Sequence, residues 1–410
     1  MNRTLASHAV VGATTTTKIL SRTGISCTMV CTIVCNIVLS VIAGGCMKNV
    51  APGEARAQFS SKDQSVNAPS APTTANQRAD GMPTLSTTAG TPGTFTVPVD
   101  ASEVEAAQAL LRSAARSNWA ALRAHAIEAS SKSPALLEEF AVRGLVDENR
   151  GVRFVTCMAI AHVGETMSQT GRAKFVESVQ PLLLDESLSV QASAMLALTR
   201  CGLAVDVSPL ALMIGNDDPE IRANAYLVLG ELGNPSAVPL IRESLGHGMK
   251  LVNPIRVRLV DLAAAEALVK LGAEDDIVPI RAALFAPPEQ AELTVVACDA
   301  IGRLHDQVAR PMLERILSAP GAAARSPEIR LAAARALMRL GSNPLMGVAI
   351  AREYAASPDP RIRAQVASLV GGILALPTAP SEAVDLARVF LRDTDPTVQV
   401  AAASALEPAE

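Results

Sequence analysis

Aromatic residues supply only 2% of this 410-residue chain, with one Trp, two Tyr and seven Phe. That scarcity leaves few platforms on which bases or sugars could stack. It also argues against a β-sandwich core, which favours aromatic and β-branched residues. Positive charge is not in excess: the formal net charge is −4, and from residue 101 onward 29 Lys and Arg face 36 Asp and Glu. A nucleic-acid binder is ordinarily basic, so that class of partner is set aside. No Gly-Lys-Ser/Thr phosphate loop, Gly-x-Ser-x-Gly elbow or His-Glu-x-x-His stretch occurs, which removes the commonest phosphate-binding, acyl-transfer and zinc-protease signatures. His125, His162, His247 and His305 are scattered without paired ligand spacing. They predict no metal site, and no cofactor is expected.

The seven cysteines fall into two groups. Cys27, Cys31, Cys35 and Cys46 lie in or beside an N-terminal apolar run, whereas Cys157, Cys201 and Cys298 lie within helical patterns. A chain with this much apolar core needs no disulfide scaffold. The last three are read as small buried hydrophobes rather than nucleophiles.

What is present begins with an export pattern. Residues 1–23 carry Arg3, Lys18 and Arg22 and no acidic residue, and residues 23–47 carry no charge at all. Basic residues followed by an uncharged apolar stretch describe a secretory signal or signal anchor over residues 1–45. Cys46 follows Ile42-Ala43-Gly44-Gly45. This resembles the lipobox of bacterial lipoproteins, which implies that Cys46 becomes the lipidated N-terminus after cleavage. Ala43 stands where that pattern usually has Leu. An uncleaved anchor helix and ordinary cleaved secretion are the alternatives; the run is long enough to span a bilayer. The first two readings attach the protein to a membrane and place the C-terminal part in the periplasm or at the cell exterior, as the positive-inside bias requires.

Residues 46–100 are rich in Ala, Pro, Ser, Thr, Gly, Gln and Asn. Such a composition cannot bury enough apolar area to offset the entropy of ordering, and predicts a disordered tether. A flexible coil of this length has a root-mean-square reach of roughly 40 Å.

From residue 101 to 410 one line recurs. Its clearest copy is IRANAYLVLGELG, residues 221–233. Nine copies align on an apolar anchor: Leu122, Val152, Val190, Ile221, Val260, Leu293, Ile329, Ile362 and Val398. The intervals between anchors are 30, 38, 31, 39, 33, 36, 33 and 36 residues. Apolar residues at offsets 0, 4, 7, 8 and 11 form one stripe of a helix. Leu232-Gly233, Leu271-Gly272 and Leu340-Gly341 close three copies with a C-cap glycine. Shorter amphipathic stretches such as PALLEEFAVRGL and AVDLARVFL precede the anchors. Between the two lie turns such as Asn216-Asp217-Asp218-Pro219 and Asp393-Thr394-Asp395-Pro396, in which Asp suits an N-cap and Pro the first turn. The unit is helix, turn, helix.

This pattern resembles HEAT-like repeats, particularly the short type shared with phycobilisome lyases, over about three quarters of the chain. The resemblance implies an all-α fold, an α-solenoid of about nine HEAT-like helix-turn-helix repeats that presents a curved surface to partners. The polar run Glu407-Pro408-Ala409-Glu410 is expected to close the array. HEAT-like hydroxylases hold iron with His-Glu pairs; none occurs here, so that branch is set aside.

Two rows of charge run through the copies. Arg153, Arg222, Arg330 and Arg363 occupy offset one, with Asp147, Asn216, Ala324 and Ser357 six residues earlier. In HEAT proteins an Asp and an Arg at that separation tend to form a ladder tying successive repeats, and Asp147–Arg153 fits best. Offset ten reads Lys132, His162, Arg200, Glu231, Lys270, Arg303 and Arg339. Stacked in register these would make a mostly basic stripe. Six of them, all but Glu231, are candidate contacts for an acidic partner or anionic lipid head groups. Alternatively, cations simply favour helix C-termini, where they meet the negative end of the dipole. The expected function is a membrane-tethered, non-enzymatic scaffold for a protein partner; the rival is an enzyme or enzyme subunit resembling the chromophore lyases.

Overall fold

A computed structural model describes residues 99–246 and 253–407. The export segment, Cys27, Cys31, Cys35, Cys46, His247, Pro408 and nearly all of the tether lie outside the described residues. Asp100, the last residue assigned to the tether, is the N-cap of the first described helix, in a capping box with Glu103.

Among the described residues the chain forms eighteen α-helices and no strand. They come in nine pairs. α1 (Ala101–Ala114) pairs with α2 (Ala120–Ser130), α3 (Pro134–Gly144) with α4 (Arg150–Val163), and α5 (Gln169–Val179) with α6 (Leu188–Arg200). Then α7 (Pro209–Met213) precedes α8 (Pro219–Leu232), α9 (Val238–Ser244) precedes α10 (Pro254–Lys270), and α11 (Val278–Ala283) precedes α12 (Ala291–Leu304). The last pairs are α13 (Arg310–Ser318) with α14 (Pro327–Arg339), α15 (Pro344–Tyr354) with α16 (Pro360–Leu374), and α17 (Ser381–Phe390) with α18 (Pro396–Leu406).

The apolar anchors explain the second helices. In eight of the nine the anchor is the third helical residue; in α10 the helix starts four residues earlier, and Val260 is the seventh. Turn chemistry sets the starts. Asp218, Asp359 and Asp395 accept from the backbone amides of Glu220, Arg361 and Thr397 at 2.8, 2.9 and 2.8 Å, each followed by Pro at the first helical position. That proline has no amide to leave unsatisfied there. The ends are set by Gly233, Gly272 and Gly341 at φ of 70, 94 and 77°, which glycine adopts without the Cβ penalty. After α12 the same left-handed position falls to His305, at φ 53°.

Each second helix packs on the next, from α2 to α4 and onward to α18. First helices sit against the second helices on either side, as α3 does with α2 and α4, and α17 with α16 and α18. The series does not stop at α18, which packs against both α1 and α2. The nine second helices therefore make a closed cycle of contacts. Glu407, expected in a polar terminal cap, is only 3% exposed and accepts a hydrogen bond from Gln108 of α1 at 3.0 Å.

Contact around the cycle alternates, broadest between α4 and α6, α8 and α10, α12 and α14, and α16 and α18. Offset nine follows the same alternation. The first member of each broad contact carries Ala161, Gly230, Gly302 or Gly371 there, whereas α2, α6, α10 and α14 carry Ser131, Thr199, Val269 and Met338. A Cβ on Gly230 or Gly302 would sit 3.0 or 3.1 Å from the Cα of Ala267 or Ala336. Small residues let these backbones meet. The broad contacts coincide with the long anchor intervals, 36 to 39 residues.

Candidate functional site

Two sets of charged side chains are organised by this packing. The first is at the turns. Arg123 forks onto Asp147 with both bonds at 2.7 Å, Arg153 onto Asp185 at 2.7 and 2.9 Å, and Arg363 onto Asp393 at 2.8 Å twice. Each Arg also donates to the carbonyl six residues before it: Ser117, Asp147 and Ser357. The pairing skips forward by one copy. Asp147 takes Arg123 of the preceding copy, not Arg153 six residues later in its own, and Arg153 passes on to Asp185. Each Asp shapes its own turn as well, accepting from the amide two residues on: Asn149, Ser187 and Asp395. Arg222 donates to Asn216 O. Arg330 turns instead to Glu353 and Tyr354. One side chain thus fixes a turn and ties it to its neighbour.

The second set is the offset-ten row. Lys132 Nζ donates to Ser404 O at 2.6 Å, across the junction between α2 and α18. Arg200 pairs with Glu165 at 2.5 Å and donates to Glu231 O at the end of α8. Lys270 meets Glu231 at 2.7 Å and Glu266 at 3.0 Å. Arg303 forks onto Glu266 with both bonds at 2.8 Å. Arg339 lies 3.8 Å from Asp299, which Arg335 approaches at 3.3 Å. From α6 to α14 the row is an arc of ion pairs along the seams between second helices. Lys132 and Arg200 bond the C-terminal carbonyls of neighbouring helices, the place where the dipole favours cations.

The acids of this arc, Glu266 and Asp299, together with Arg335, stand at offset six. The sequence reading passed over them. Their signal is a lone charge inside an apolar helix half, four residues before the offset-ten cation, as in Glu266–Lys270 and Asp299–Arg303. Glu266 is 5% exposed and Arg303 8%. Burial would raise the carboxyl pKa of Glu266, but the charges of Arg303 and Lys270 overcome it and hold the group well below the usual carboxylate range. Glu266 and Glu231 likewise keep Lys270 protonated against its own burial.

His162, at the edge of the arc, is held below the usual imidazole range by burial, with Arg200 acting the same way and Glu231 opposing. His125 lies 3.7 Å from Glu128. Among the described residues no group of three or more His, Cys, Asp or Glu side chains could hold a metal ion. Cys157, Cys201 and Cys298 are free and buried; burial pushes the Cys157 thiol up to about 12 and raises the other two. No described helix is long and apolar enough to cross a membrane.

Large apolar side chains, by contrast, remain in solvent at the turns. Trp119, the sole tryptophan, stands 63% exposed beside the start of α2, and Val146 after α3 is 80% exposed. Leu184 before α6 and Leu212 at the end of α7 are 90% and 81% exposed. Glu148 and Glu186, between these apolar positions, have side chains 88% and 85% exposed.

No protein-family model matches the chain, and no curated protein matches it.

Proposed function

We propose that the chain is an α-solenoid of nine HEAT-like repeats closed end to end, tethered to a membrane of the cell envelope, that acts as a non-enzymatic scaffold for a protein partner. The observation that carries this reading is the exposed apolar row at the turns, led by Trp119. The fold leaves its one Trp in water, and Trp is among the residues enriched where interfaces concentrate their energy. Exposed Glu148 and Glu186 lie in the same turns, so the partner it suits presents an apolar knob with some basic surroundings. In this reading Lys132, His162, Arg200, Lys270, Arg303 and Arg339 hold repeats together, and docking falls to the turn rim. Membrane attachment rests on residues 1–45 and lipidation of Cys46, with the repeats on the periplasmic or exterior side.

Affinity capture from native membranes, comparing the parent chain with a Trp119→Ser, Val146→Ser double variant, tests the scaffold. The expected result is a co-purifying protein that the folded double variant loses. Equal recovery by both, or a bound small molecule with turnover in place of a protein, would overturn it. Mass spectrometry of the mature N-terminus tests the anchor separately: an unmodified Cys46 or an intact 1–45 segment removes the lipid.

A further inference from the structure

Between α1, α2 and α3 lies a cavity of about 120 Å³ lined by Arg112, Arg116, Arg123, Arg143, Glu139 and Asp147 over a floor that includes Ile127 and Phe140. That is several times the space of one water, about 10–15 Å³. Four guanidiniums face two carboxylates. Asp147 is matched by Arg123. Glu139 is shared between Arg112 at 2.9 Å and Arg116 at 3.8 Å. Arg143 has no side-chain partner among the described residues and is exposed. Glu148 reaches Arg123 at 3.7 Å from outside the cavity. A helix dipole accounts for one cation near each C-terminus; it does not gather four around one hollow.

We propose that this cavity binds a phosphate group, free or carried on a small molecule. With Glu148 counted, four guanidiniums exceed three carboxylates by one, which favours an anion, and planar forks of donors suit tetrahedral oxyanions. Arg143 and Arg116 supply the free donors, Arg112 moves from Glu139 toward the ligand, and Arg123 stays committed to its turn.

Titration calorimetry of the full chain with inorganic phosphate, and separately with acetate, tests this. Saturable one-to-one binding of phosphate is expected, with acetate at least tenfold weaker. Arg143→Gln, which touches no described partner, is expected to weaken phosphate about tenfold, the loss of one charged hydrogen bond. Arg361→Gln, paired to Asp359 elsewhere, is expected to change nothing. No saturable heat, equal binding of acetate, or an Arg143→Gln variant that binds as the parent does would each overturn the proposal. If phosphate binds, glycerol 1-phosphate and vesicles of phosphatidate, compared under the same conditions, separate a soluble phosphomonoester from a lipid head group as its carrier.

Discussion

Arg388 on α17 forks onto Glu103 on α1, at 2.6 and 3.2 Å, across 285 positions of sequence. Gln108 to Glu407 and Lys132 to Ser404 O cross the same junction. An open array exposes the faces of its first and last repeats and needs polar caps there. Here the two ends cover each other, which explains why α18 carries Val400, Ala402 and Leu406, all buried, on a helix that an open array would have made polar.

The junction is predicted to be acid-sensitive. The hydrogen bond from Arg388 holds Glu103 below its ordinary value of 4.5. A carboxylate depressed by folding contributes stability that is complete above its unfolded pKa and lost as pH falls through the folded one. Glu266 is held further down by Arg303 and Lys270. Below about pH 4.5, hydrogen exchange corrected for intrinsic rate should therefore rise first in α1 and α18, while α10 and α12 stay protected. Simultaneous loss in all four helices would contradict this order.

Within the buried arc, Glu266→Gln keeps the shape and removes the charge. Lys270 keeps Glu231, but Arg303 loses the carboxylate onto which it forks, and breaking a buried pair from one side costs about 3–5 kcal/mol. Urea unfolding at pH 7 should show a loss of that order. A change under 1 kcal/mol, within the range of an exposed pair, would mean that solvent reaches the arc.

The turn ladder separates fork from charge. Arg153→Lys retains the cation but cannot make both bonds to Asp185 and the one to Asp147 O. A loss of about 1–2 kcal/mol is expected, against about 2–4 kcal/mol for Arg153→Ala, which leaves Asp185 half-satisfied. Equal losses in the two variants would assign the effect to charge alone.

His305 should be improvable. It occupies at φ 53° the left-handed position that Gly202, Gly233, Gly272 and Gly341 hold elsewhere, and its side chain is exposed. His305→Gly is expected to raise stability by about 1 kcal/mol, the cost of that conformation for an L side chain. A lower melting temperature would show that the imidazole makes an interaction worth more than the strain.

Local features were the legible ones. The anchors, the Asp-Pro starts and the Leu-Gly ends each act within one helix, so Ile221 to Gly233 reads directly as most of α8 with its C-cap. The ladder was partly legible: Arg153, Arg363 and Asp147 were found, Arg123 and Asp185 were not, and which Asp each Arg takes depends on how copies stack. The partners of offset ten were hidden for the same reason. Lys270 looks like a free cation until α8 places Glu231 beside it. Closure was the least legible, because Glu103 and Arg388 each look like ordinary surface residues of one amphipathic helix. The trace it leaves is the apolar character of α18.

The most direct test of the closed array is the distance between spin labels at Ser102 on α1 and Val389 on α17, both exposed in the folded chain. Closure predicts one narrow, short distance population, set by the Arg388–Glu103 contact between the same two helices. An open stack of nine pairs, at about 8–10 Å per helix step, would set the labels roughly 70 Å apart along its course. A broad or long distance at neutral pH would contradict the account.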